Sequence, residues 1–151
     1  MNRCRISAAV LALILLAGTP ALGQPPRVAG RVKVASGAVF ILRQSGPTAA
    51  QVGQVLYQGD GLRTGADGRI GVTLNDDTRI SLGPGSEVRL DRFVFSPTES
   101  RFGLALKIVK GIAAYVSGRI AKLSPDSVRL ETPAAIVGIR GTRLVIRVGT
   151  P

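Results

Sequence analysis

An all-β domain is what the sequence predicts, and three observations carry the expectation. Apolar and polar residues alternate over 69–74, 78–82 and 86–90, about ten residues apart, which is the period of half-buried strands. The joints between them, Asn75-Asp76-Asp77 and Gly83-Pro84-Gly85, are turn chemistry short enough for hairpins or the corners of a rolled sheet. Gly103, Gly111 and Gly118 punctuate the run 102–120, where each glycine would destabilise a helix interior. One compact roll, sandwich or barrel fits this pattern, preceded by an N-terminal signal helix.

Arg3 and Arg5 precede an apolar run from Ile6 to Ala17, and Ala21-Leu22-Gly23 is a small-x-small cleavage pattern, so residues 1–23 are expected to be a signal peptide. The run is shorter than the ~20 residues a spanning helix needs, and no stable membrane anchor is expected after cleavage. A stiff leader, 24–27, comes next. In the first strand, 28–34, Val28, Val32 and Val34 are expected inward, with Arg31 and Lys33 outward. Residues 38–42 are apolar on both faces and belong centrally in the core. Ser45-Gly46-Pro47-Thr48 marks 44–51 as a surface loop, and Asp60-Gly61 is expected to form a tight turn within 52–64.

Beyond the three regular strands, the offset from Leu90 to Phe93 and Phe95 predicts a bulge. Residues 96–100 form a loop, 102–120 read as two strands about a bend at Gly111, and Ser124-Pro125-Asp126 makes a turn. Val128-Arg129-Leu130 leads into an extended segment starting near Thr132-Pro133, bent between Gly138 and Gly141, and ending in a strand. There Thr142, Leu144, Ile146 and Val148 alternate with Arg143, Val145 and Arg147. Ile136, Ile139, Leu144 and Ile146 are expected to close the core. The β domain then covers 28–148, with 149–151 a short tail.

Composition excludes more than it assigns. The only cysteine, Cys4, lies in the signal segment, so disulfides and thiolate metal sites are not expected; histidine is absent, which removes the usual general base and most zinc and haem ligation. No cofactor or metal is expected. Formal charge is +11, and after loss of Arg3 and Arg5 the cations still outnumber the carboxylates two to one. Such a surface suits an anionic envelope component or an acidic protein face. Export and the scarcity of aromatic residues among the charges argue against nucleic acid.

Arg69, Arg79 and Arg89 fall on the outward phase of the three regular strands and, were those strands neighbours, would form a basic stripe; Glu87, Asp76, Asp77 and Asp91 are near enough in sequence to neutralise it. Arg140, Arg143 and Arg147 are the other candidates for partner contact, Arg140 being equally suited to an internal carboxylate or backbone carbonyls. Strand addition at an exposed edge is a second route to binding. The enzymatic alternative, a glycan hydrolase using two of Asp76, Asp77, Glu87, Asp91 and Glu99, has no pairing signal, because acidic residues in β-turns are ordinary turn formers. A structural, self-associating envelope protein is the remaining class.

The ordered features resemble the FecR domain, an extracytoplasmic β-rich module. Carrying the resemblance are Gly37-Ala38-Val39, Gly59-Asp60-Gly61-Leu62-Arg63-Thr64-Gly65, Ile70 to Leu74 with Asn75-Asp76-Asp77-Thr78, Ile80-Ser81-Leu82-Gly83-Pro84-Gly85-Ser86, Lys110-Gly111, and Thr132-Pro133-Ala134-Ala135 through Arg140-Gly141-Thr142. Asp77-Thr78 departs from the pattern, because the family commonly has a glycine in that hairpin. The resemblance implies a roll or short solenoid and a non-catalytic role in envelope signalling or interaction, in the periplasm or secreted. It marks Gly59, Asp60, Thr64, Gly65, Pro133, Gly138, Gly141 and Thr142 as signature positions. Family members that regulate iron uptake add a cytoplasmic sigma-factor-binding segment, a membrane span and a further C-terminal subdomain. This sequence shows none of these, so an autonomous exported binding domain is expected and the sigma-regulator mechanism is not carried over.

Overall fold

The computed structural model describes residues 23–141 and 143–149. All but the last residue of the expected signal peptide lies outside the described residues, as do Thr142, Thr150 and Pro151. Twelve strands and one short α-helix are described, with two single-turn 3-10 helices at Pro97–Glu99 and Pro125–Ser127: β1 Val28–Ser36, β2 Val39–Arg43, β3 Gly46–Ala49, β4 Val55–Tyr57, β5 Gly61–Thr64, β6 Arg69–Leu74, β7 Arg79–Leu82, β8 Glu87–Ser96, β9 Arg101–Val116, α1 Arg119–Leu123, β10 Val128–Glu131, β11 Ile136–Gly138 and β12 Arg143–Val148.

All twelve strands belong to one curled sheet that turns on β9. The first half of β9 pairs with β8 and β10, and the second half pairs with β7 and β12. Between them Gly111 takes φ +85, and a Cβ there would lie 2.5 Å from Ser86 Cα, so only glycine allows the bend expected at this point. The first wing runs β3-β2-β5-β8-β9-β10-β11, and the second runs β4-β1-β6-β7-β9-β12. Inward side chains of both, among them Ile41, Val88, Leu104 and Leu106 from the first and Val32, Val72, Ile80 and Tyr115 from the second, form one core. Gly83-Pro84-Gly85 is the corner where the chain passes from β7 in the second wing to β8 in the first.

β6, β7 and β8 lie where the alternation put them, and the register shift between Leu90 and Arg92 is the expected bulge. Elsewhere the chain differs from its pattern. A bulge between Val32 and Val34 reverses the phase of β1, leaving Val34 exposed while Ala35 packs on the core; Val28 is likewise exposed, ahead of another register shift. Part of the expected 44–51 loop is β3, an edge strand whose Pro47 has no N–H to offer. In place of an Asp60-Gly61 turn, the chain reverses at Gln58-Gly59, where Gly59 takes φ +91, and Gly61 already belongs to β5.

Pro133 does not start a strand. Thr132-Pro133-Ala134-Ala135 is a hairpin turn, in which the Thr132 and Ala135 main chains and the Thr132 hydroxyl bond one another, and β11 folds back antiparallel on β10. Ile136, expected in the core, is therefore 66% exposed on an edge strand, whereas Ile139 is buried as expected. Leu144 and Ile146 pack against the core but stay half-buried. Among the described residues the β9–β10 pairing is the one parallel pairing; the crossover this demands contains α1, unforeseen in the sequence and anchored by fully buried Ile120. No helix among the described residues is long and apolar enough to cross a membrane.

Candidate functional site

Residues directly opposite one another in paired strands share a face, so the registers map the outer surface of the second wing row by row. One row crosses five strands as Arg31, Thr73, Arg79, Val116 and Arg143. The next outward row is Val34, Gly71, Ser81, Ala114 and Val145, small in the middle and aliphatic at the ends. A third holds Ser36 opposite Arg69 and Ile112 opposite Arg147. Arg31, Arg79 and Arg143 occupy every second strand, about 10 Å apart by strand spacing, and Arg143 lies about 13 Å along β12 from Arg147. The result is a shallow floor of small side chains between two cationic borders.

All five arginines of this face are exposed, and none forms an ion pair among the described residues. Arg31 donates only to the Gly53 carbonyl, at 3.2 Å. The candidates named from sequence are thus divided. Arg69, Arg79, Arg143 and Arg147 share the face, with Arg69 and Arg79 at opposite ends of the β6–β7 hairpin. Arg89 is on β8 in the other wing, bridged to Asp91 at 3.4 Å, so the Arg69-Arg79-Arg89 stripe does not form. Exposed Arg140 lines a separate cleft with Lys122, Pro125 and Asp126. Arg31 reads as outward in the sequence, but its alignment with Arg79 and Arg143 depends on strand order.

Among the signature positions, Asp60, Thr64 and Gly65 fasten the fold. Asp60, 7% exposed in its side chain, receives Arg43 Nε at 3.1 Å and Nη2 at 3.0 Å together with the Tyr57 N–H at 2.9 Å. Arg43 also donates to the Val55 carbonyl and stacks over the Tyr57 ring at 5.1 Å. Thr64 Oγ1 donates to the Gly83 carbonyl at 2.6 Å and accepts the Ser86 N–H at 2.8 Å, tying β5 to the corner between the wings. Gly65 exchanges main-chain bonds with Ala38 and Gly85. Pro133 shapes the β10–β11 turn. Gly141 accepts the Ser117 hydroxyl, and nothing crowds Gly138 or Gly141 enough to require glycine. Thr142 lies outside the described residues.

The five carboxylates weighed for acid/base work are spread over several places. Asp76 is fully buried, its Oδ1 accepting the Thr78 N–H at 3.1 Å and its Oδ2 accepting Thr78 Oγ1 at 2.7 Å and the Ile120 N–H at 3.3 Å. Asp77 takes φ +68 in the turn, a left-handed geometry that aspartate tolerates better than most residues. Glu87 pairs with Arg63 at the start of β8, Asp91 with Arg89, and Glu99 with Arg101 beyond the far end of β8. Among the described residues no three His, Cys, Asp or Glu side chains cluster as metal ligands would.

Tyr115 lies beneath the basic face. Its hydroxyl is buried with no partner in hydrogen-bonding geometry among the described residues. Burial raises its pKa above the ordinary 10.0, the nearby Ser117 and Thr78 hydroxyls oppose the shift, and the Asp76 carboxylate adds to it.

A family model described as FecR protein matches residues 60–150. The match starts at the Asp60 anchor and leaves Gly37-Ala38-Val39 and Gly59 outside it. Comparisons with curated proteins and with solved structures gave no match. With the matched span covering most of the chain and including the Asp60 and Thr64 fastenings, the bend at Gly111 and the closing strand, the chain belongs to the FecR protein family.

Proposed function

We propose that this chain is an exported, non-catalytic binding module of cell-envelope signalling, and that it engages an anionic envelope partner through the outer face of its second wing. FecR proteins generally take part in cell-envelope signalling. The observation that carries the reading is the row Arg31, Arg79, Arg143 with Arg69 and Arg147 beside it, five cations on one face with no carboxylate among them. Clustered like charges cost stability unless an anion compensates them, and an open small-residue floor lets a flat partner approach the backbone.

The test is capture from envelope extract by the purified protein. Saturable binding that weakens with rising salt, and about tenfold or more when Arg69, Arg79, Arg143 and Arg147 are changed together to Ser, supports the reading. Arg89→Ser should leave it unchanged. Absence of saturable capture, or equal capture by the fourfold variant, overturns it.

A further inference from the structure

We infer that β12 is a docking edge for an extended segment of a partner protein, one whose apolar residues alternate with outward residues that include two carboxylates four positions apart. This rests on the binding role proposed above and names the chemical class of the partner. Four strands end the sheet's wings, and three of them are blunted: β4 and β11 have three residues each, and β3 has four with Pro47 among them. β12 is six residues long, contains no proline and, among the described residues, pairs only with β9.

Its free backbone groups can be identified. Ile112 of β9 donates its N–H to Ser86 Oγ at 2.8 Å and accepts from the Gly83 N–H at 3.0 Å, so its main chain faces the β7 side. Alternation then turns Ala113 and Tyr115 toward β12, where they oppose Ile146 and Leu144. The main-chain groups of Arg143, Val145 and Arg147 are left pointing to the open edge. On the outer face these same residues present two cations flanking Val145, which is 63% exposed. On the inner face Leu144, Ile146 and Val148 are half-buried, and a cleft of about 720 Å³ opens beside Ile146 and Val148, closed off by Pro133, Ala134 and Val109.

A strand laid along this edge would extend the ladder, put alternate apolar side chains over Leu144, Ile146 and the cleft, and set its outward residues against Arg143 and Arg147. Charge selects the partner. A second copy, paired antiparallel over the full strand, would set Arg143 against Arg147 of the other copy twice, which is repulsive; carboxylates at those two places convert both contacts into cross-strand ion pairs.

The experiment measures binding of the full chain to the synthetic peptide Val-Glu-Val-Thr-Val-Glu-Val by calorimetry, with a peptide carrying Lys for Glu as control. We expect saturable binding of the acidic peptide alone. Arg143→Ser with Arg147→Ser, and separately Val145→Pro, should each weaken it about tenfold or more, since the proline removes an outward N–H and leaves the β9 ladder in place. Arg89→Ser should have no effect. A peptide N-methylated on the amides facing β12 should also fail to bind, and it tests the edge without altering the protein. Equal binding by the Val145→Pro variant or by the methylated peptide overturns the inference. So does a wild-type dimer in sedimentation that Val145→Pro converts to monomer, which would give the edge to a second copy. If the acidic peptide fails while arginine-dependent capture from envelope extract persists, the docking edge falls and the binding role stands; if both fail, the role falls with it.

Discussion

Asp60 gives the sharpest test of how the signature stabilises the fold. Changing it to Ala removes the acceptor of three contacts at once: Arg43 Nε at 3.1 Å, Arg43 Nη2 at 3.0 Å and the Tyr57 N–H at 2.9 Å. The Arg43 side chain left behind is only 30% exposed and retains the Val55 carbonyl and the Tyr57 ring. Removing one partner of a buried pair costs about 3–5 kcal/mol, and the water still reaching Arg43 brings the expected cost of Asp60→Ala to about 2–4 kcal/mol. Asp60→Asn keeps an acceptor for Tyr57 and should cost about half as much. Arg43→Ala should resemble Asp60→Ala, because it strands a 7% exposed carboxylate. The double variant should then lose less than the sum of the two by about 1–3 kcal/mol. Urea unfolding at unchanged m-value measures all four. A loss below about 1 kcal/mol for Asp60→Ala, or strict additivity of the cycle, would refute the claim that this pair fastens the β4–β5 turn to β2.

Three further outcomes follow from the same kind of accounting. Asp76→Ala leaves the Thr78 and Ile120 N–H groups buried without an acceptor and should cost about 2–4 kcal/mol in urea unfolding, whereas an exposed turn aspartate would cost almost nothing. Gly111→Ala places a methyl 2.5 Å from Ser86 Cα at φ +85, so a loss of about 3 kcal/mol or more, read as a lower melting temperature or insoluble protein, is expected. Tyr115→Phe removes an unpaired buried hydroxyl and should be neutral or stabilising by about 1 kcal/mol near neutral pH. Because burial raises the folded phenol's pKa above that of the unfolded chain, ionisation favours the unfolded chain, so stability is unaffected by this group below pH 10.0 and falls as pH rises beyond it. The Phe variant should lack that alkaline component in pH-dependent melting.

The regular middle of the chain was legible because each of its strands has one buried face and a turn at each end. β6 and β7 keep strict alternation, β8 keeps it as far as Leu90, and the slip from Leu90 to Phe93 shows the bulge at Asp91 directly. Elements without a buried face leave no such trace. β3 is almost wholly exposed, so its Gly-Pro content read as loop, and α1 is too short for a helical period to appear. The bulges in β1 moved Val28 and Val34 outward because one extra residue inverts every later side chain. The site was half legible for another reason. Outward arginines can be picked out of each strand, but which strands lie side by side is a property of topology. β8 crossed to the other wing and took Arg89 with it, while β1 and β12 brought Arg31 and Arg143 into line with Arg79.

The place of β9 also sets an order of events for folding. Its sixteen residues supply a partner to β7, β8, β10 and β12, and it comes late in the chain. A nascent chain ending before Arg101 can close the β6–β7 hairpin and pair β2 with β5, but β7 and β8 have nothing to hold their other sides together. The wings therefore dock only after β9 is made, through contacts between distant parts of the sequence, which is the topology of slow folding. Until then the half-made sheet carries two aggregation-prone borders, and a chaperone that holds the chain extended until residue 116 has emerged would raise the yield more than one acting on the finished domain.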